Sequence, residues 1–132
     1  MPIKSNIDNL IDFAVAVDRF VTEKRLEGDD HPAYNQVSRS STSIMANFAE
    51  SMRSETVKDC KLKLGIALKE AMETRAWVYF LWGCDRMTNE QYEDLAPQLK
   101  DIIITLQDDV QACITEESPS AWMKVLASLG RG

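Results

Sequence analysis

From Val57 to Leu81 small or apolar residues return at alternating steps of three and four: Val57, Cys60, Leu64, Ala67, Ala71, Thr74, Val78 and Leu81. A repeat of 3.5 residues held this long is the seam of a helix packed lengthwise on other helices. A strand cannot carry it, because strand side chains alternate with a period of two. The pattern predicts a helix over about residues 55–82, roughly 40 Å long at 1.5 Å per residue, with Gly83 to stop it. One helix of that length cannot bury its own seam, so the rest of the chain must supply partners of similar length.

It does. Ile3, Ile7, Leu10, Ala14, Val17 and Val21 repeat the spacing, widened by Phe13 and Phe20, and predict a helix over about 3–27 that ends at Gly28-Asp29-Asp30-His31-Pro32. Val37, Ile44, Phe48 and Met52, with Ala49 beside Met45, predict a second over about 33–52. Ser54 or Thr56 supplies the next N-cap. Thr88 to Gln91 fits a capping box and opens a fourth helix over about 88–115, carrying Tyr92, Leu95, Leu99, Ile102, Leu106, Val110 and Cys113, with Ile103 and Ile114 flanking. Pro97 should kink or restart it. Ser118-Pro119-Ser120 then starts an amphipathic tail over 117–132 with Trp122, Val125, Leu126 and Leu129 on one face. The fold class expected is all-α: an antiparallel up-and-down four-helix bundle over 1–116 with a short extra C-terminal helix.

Composition excludes several classes of function. The net charge is −6, which argues against a generally nucleic-acid-coating protein. The cations gather instead in residues 34–63, five against three carboxylates, so an acidic partner would meet that segment. No apolar run is long enough for a membrane span and the start has no secretory h-region, so the expected location is the cytoplasm. Cys60, Cys84 and Cys113 match no metal-knuckle or redox spacing and read as small core hydrophobes of a reducing compartment.

The inward-capable acids Glu50, Glu70 and Glu73 invite comparison with di-metal carboxylate bundles. Those need Glu-x-x-His pairs, whereas Glu70-Ala71-Met72-Glu73 has Glu where His is required and His31 is in a loop. The expected role of Glu70 and Glu73 is pairing with Arg39, Arg53 or Arg75. With no activated nucleophile and no phosphate loop, neither an enzyme, a cofactor nor a small-molecule substrate is expected. Arg39, Arg53, Lys58, Lys61, Lys63 and Lys69 are candidates for an RNA or acidic-protein contact, against the plainer reading of a solvated helix face.

Helix 2 also carries a second stripe, Gln36, Ser40, Ser43, Asn47 and Glu50, of residues that are poor helix formers and so are kept for packing or hydrogen bonding. At the end of helix 3, Trp77, Tyr79, Phe80 and Trp82 give more apolar girth than one stripe can use, the mark of a helix buried on more than one side.

The run Gln36, Arg39, Ser43, Ile44, Asn47, Glu50 resembles the Q-x-x-R-x-x-x-S-I-x-x-N-x-x-E signature of the four-helix-bundle proteins encoded in intervening sequences of bacterial 23S ribosomal RNA genes. Lys58-Asp59, Ile66 to Ala71 and Glu73-Thr74 are similar to the same family's third helix. The resemblance implies a homo-oligomer, in several members a ring of five. It also implies kinship with the accessory variability protein of diversity-generating retroelements, a pentameric barrel that binds a reverse transcriptase and nucleic acid. That relative is basic where this chain is acidic, and the family's usual Gly after the signature Glu is Ser51 here, which implies a helix end without a left-handed cap. The leading expectation is therefore a non-enzymatic, pentameric scaffold, and the alternative an accessory protein that binds RNA or a reverse transcriptase.

Overall fold

The computed structural model describes residues 3–115. Within them the chain forms α1 (Ile7–Leu26), α2 (Ala33–Ser51), α3 (Val57–Gly83) and α4 (Asn89–Thr115). Helix α3 packs on α2 and α4, and α1 on α2 and α4, which closes a four-cornered bundle. The direction alternates: Lys4, just before α1, meets Asp108 near the end of α4, while Asp29, just after α1, meets Arg86, just before α4. The predicted tail over 117–132 lies outside the described residues.

The seams are where the spacing puts them. Cys60, Leu64, Ala67, Ala71, Thr74, Val78 and Leu81 are all buried on α3, against Leu10, Phe13, Val17, Phe20 and Val21 of α1, Val37, Ile44 and Phe48 of α2, and Leu95, Leu99, Ile102 and Leu106 of α4. Each large side chain removed from water contributes about 1.5–3 kcal/mol, and this apolar layer is the main force holding the helices together. The α3 residues at its centre are small, which lets neighbouring backbones approach. Ala49 is exposed, by contrast, and only Met45 of that pair packs on the core.

The helix ends explain the departures from the sequence pattern. Helix α1 starts at Ile7 rather than Ile3, because the Asn6 side chain caps it by accepting from the Asp8 amide at 2.8 Å. The amides of Lys4 and Ser5 donate instead to the two carboxylate oxygens of Asp109, at 2.6 and 3.0 Å. Ile3 still packs on the core, so its place in the seam is kept by an extended strap and not by a helical turn. Gly28 (φ 85°) closes α1 with Gly28 N–H to Arg25 and Asp29 N–H to Lys24, a Schellman arrangement.

Helix α2 ends at Met52 in a right-handed conformation, as Ser51 in place of glycine implies. Thr56, not Ser54, caps α3, accepting from the Asp59 amide at 3.0 Å. Helix α3 ends at Gly83, but the glycine is not its left-handed cap: that position falls on Asp85 (φ 62°), with Arg86 N–H donating to the Leu81 carbonyl at 2.8 Å. Asp is one of the few residues with a side chain that visits this region readily. Thr88 and Gln91 form the reciprocal capping box, at 2.9 and 3.1 Å. Helix α4 runs through Pro97 without a restart. The carbonyl that loses its donor belongs to exposed Glu93, where water can satisfy it.

Candidate functional site

The stripe on α2 divides between two jobs. Ser40 is fully buried and hydrogen-bonds the Thr74 hydroxyl of α3 at 2.8 Å, while the Thr74 hydroxyl also donates to the Glu70 carbonyl at 2.7 Å. This pair satisfies two buried hydroxyls between α2 and α3, where larger apolar side chains would have to displace their neighbours. The other members turn outward along the same side. Gln36 and Glu50 are exposed, Ser43 and Asn47 half-buried, and Asn47 donates back to the Ser43 carbonyl at 2.9 Å.

Facing them from α3 stand the acids. Arg39 reaches across and donates to Glu73 at 2.6 Å and to Glu70 at 3.3 Å, and Lys63 meets Glu50 at 2.5 Å. Of the three arginines considered as partners for Glu70 and Glu73, it is Arg39 that pairs with both. The Glu73 hydrogen bond is the largest influence holding the Arg39 guanidinium more firmly protonated than usual. Leu62 and Phe80 lie exposed on α3 alongside this ionic ladder, and Trp77 is half-buried. Ile44 alone of the signature points fully into the core.

The ladder occupies two of the six candidate cations, Arg39 and Lys63. Arg53, Lys58 and Lys69 are exposed and Lys61 is half-buried, and among the described residues none of them meets a carboxylate within ion-pair distance. Among the described residues there is also no group of three or more His, Cys, Asp or Glu placed to hold a metal ion, and no helix long and apolar enough to cross a membrane.

Two polar clusters escaped the sequence reading. At one end of the bundle, fully buried Tyr34 donates its hydroxyl to Asp29 at 2.6 Å, and Arg86 donates to the other Asp29 oxygen at 2.7 Å, tying the α1–α2 turn to the α3–α4 turn. The Tyr34 hydrogen bond holds the Asp29 carboxyl below its ordinary range, and burial pushes the Tyr34 phenol up to about 12. His31 accepts from the Ala33 amide and rests against Phe80. At the other end, Asp109 is fully buried beneath the strap, and burial raises its pKa despite the donors around it. Cys60 is buried next to Cys113, whose hydrogen bond, with burial, pushes the Cys60 thiol up and keeps it unreactive. Cys84 departs from the core reading of the cysteines, because it is exposed. A signal for Asp109 existed: it stands seven residues after Ile102, at a seam position that should be apolar. Tyr34, Asp29 and Arg86 gave none, since nothing local in a sequence brings residues 57 apart together.

The fold and this ladder define an all-α bundle whose most patterned surface is a polar and ionic ladder between two neighbouring helices. The chain belongs to the family of 23S rRNA-intervening sequence proteins, whose model matches residues 7–108. Its fold is similar to the crystal structure of a protein of unknown function from the S23 ribosomal protein family of Bacteroides thetaiotaomicron, with 32% identity, a TM-score of 0.77, and coverage of 80% of this chain and 97% of that one. No curated protein matches the sequence.

Proposed function

We propose that the protein is a non-enzymatic scaffold that assembles with copies of itself, as a ring of five, through the outer face of α2 and α3. The observation that carries this reading is where the signature lies. Gln36, Arg39, Ser43, Asn47 and Glu50 are exposed or half-buried, so most of the signature is not spent on the subunit's own core. Ser43 and Gln36 make no side-chain hydrogen bond among the described residues, and Leu62 and Phe80 add exposed apolar surface beside them. Polar groups with spare bonding capacity next to exposed aromatic and aliphatic side chains are the composition of a protein–protein contact. Light scattering of the purified protein tests the proposal: five times the chain mass is expected, and a monomer at micromolar concentration would remove it.

A second reading rests on the four cations that the ladder leaves without carboxylate partners, Arg53, Lys58, Lys61 and Lys69. They mark where an RNA, or an acidic face of a reverse transcriptase, would meet the protein. Binding to structured RNA that weakens steeply with salt supports it, and no binding at low salt removes the direct RNA version.

A further inference from the structure

A ring joins one side of each copy to a different side of the next, so the outer side of α3 needs a counterpart elsewhere on the chain. On the side of α3 away from α2, an open groove of about 620 Å³ runs between α3 and α4. Its apolar wall includes Tyr79, Ile103 and Ile104, of which Tyr79 (50%) and Ile104 (45%) stay exposed. Arg75 of α3 and Lys100 of α4 stand on its two walls, and among the described residues neither meets a carboxylate within ion-pair distance. Glu93 is the only acid lining the groove among the described residues, so its lining is net positive.

The outer face of α1 has the opposite charge. Ile11 and Val15, one turn apart, are each 41% exposed. Asp8, Asp12 and Asp18 flank them against Arg19 alone, and among the described residues none of the three carboxylates has a cation within ion-pair distance. Two clefts separate α1 from α4, and neither Ile11 nor Val15 lines them, so this apolar pair points away from the subunit.

We propose that the α3–α4 groove of one copy receives the outer face of α1 of a second copy. Ile11 and Val15 then cover the apolar wall, and the α1 carboxylates meet Arg75 and Lys100. The pairing rests on the ring proposed above and names the second half of its contact. A helix with one apolar edge is the natural filling of a groove between two others, and opposite charge on the two surfaces favours this face over a neutral one. The levels along the bundle also agree. Leu10 and Asp12 line one cleft with Gln98 and Ile102, and Ala16 and Phe20 line the other with Gln91 and Leu95. Ile11 and Val15 therefore stand level with residues 95–102 of α4, while the groove on the far side of α4 extends from Tyr92 to Gln107. Rotation about an axis along the bundle leaves levels unchanged, so α1 of one copy arrives at the middle of the groove of the next.

Charge exchange in the full-length protein tests the pairing, read by light scattering at micromolar concentration and low salt. Wild type is expected at five times the chain mass. Asp12→Lys with Asp18→Lys, and separately Arg75→Glu with Lys100→Glu, should each lower the assembled fraction by about ten-fold or more. All four changes together should restore assembly to the wild-type level, which a merely structural role of these residues would not do. A wild-type monomer would remove the ring and the pairing with it. A wild-type ring beside reversed pairs that still assemble, or beside a fourfold variant that stays dispersed, would overturn the pairing and leave the ring. The four positions lie outside the buried core. Should circular dichroism show a loss of fold, the smaller exchange of Asp12→Lys with Lys100→Glu carries the same test.

Discussion

Helix α3 has two outer flanks, and they solve the same packing problem in opposite ways. Toward α2 the contact is made by small and polar groups, the Ser40–Thr74 pair below and the Arg39–Glu70–Glu73 and Glu50–Lys63 ladder above. Toward α4 the outer contact is aromatic and aliphatic: Tyr92 stacks on Trp82 at 4.2 Å and lies 6.1 Å from Tyr79, and below them Ile103 and Ile104 line an open groove. The first flank is directional. Each hydrogen-bonded or charged pair accepts only one register, which suits the self-assembly proposed for this face. The second is permissive, since apolar surface rewards any cover of the right shape.

The largest effect should come from disrupting the buried Ser40–Thr74 pair at the first flank. Ser40→Leu forces a larger side chain into a fully buried position and leaves the Thr74 hydroxyl with the Glu70 carbonyl as its one remaining partner among the described residues, and is expected to cost about 2–4 kcal/mol in urea unfolding. Ile104→Ala on the second flank should cost well under half of that, because Ile104 is 45% exposed. Equal losses would erase the distinction between the flanks.

Tyr34→Phe comes next. It removes a buried hydroxyl bonded to Asp29 and should cost about 1–2 kcal/mol, with the Asp29 pKa rising because its largest depressing partner is gone. Arg39→Ala should cost no more than about 1 kcal/mol of subunit stability, since Arg39 is half in solvent. The same change should weaken assembly sharply, so a variant that unfolds would place the ladder in the fold and not in the interface. Asp85→Gly should stabilise the protein by about 0.5–1 kcal/mol, as glycine takes the left-handed position without strain.

Carboxyl NMR gives the subtlest contrast. Asp29 should ionise below its ordinary value and Asp109 above it. The signs of linkage are opposite. The Asp29 contribution is present above the unfolded value and lost as pH falls through its lowered native pKa. The preference of buried Asp109 for its protonated form adds stability at low pH, which is lost as pH rises through its raised native pKa. A single shared titration would contradict both placements.

The two flanks were not equally legible in the sequence. The seams of all four helices could be read directly, because burying a helix stripe is a local rule that repeats every 3.5 residues. The polar stripe could be seen as well, but the spacing alone could not tell that Ser40 turns inward to Thr74 while Gln36 and Ser43 turn outward. Helix ends were harder. Gly83 is where α3 ends, yet the left-handed residue is Asp85, and Ile3 belongs to an extended strap because the amides of Lys4 and Ser5 donate to Asp109, far along the chain. Tyr34, Asp29 and Arg86 could not be found at all, being joined only by the closing of the bundle.

The proposed assembly requires that the α2–α3 flank join subunits. Ala46 is exposed on α2, one turn before Glu50 and two turns after Arg39, and a long cation there should leave the fold intact while blocking the face. Light scattering of wild type beside Ala46→Arg measures this most directly: five times the chain mass for the wild type and a folded monomer for the variant are predicted. A wild-type monomer, or a variant that assembles unchanged, would contradict it.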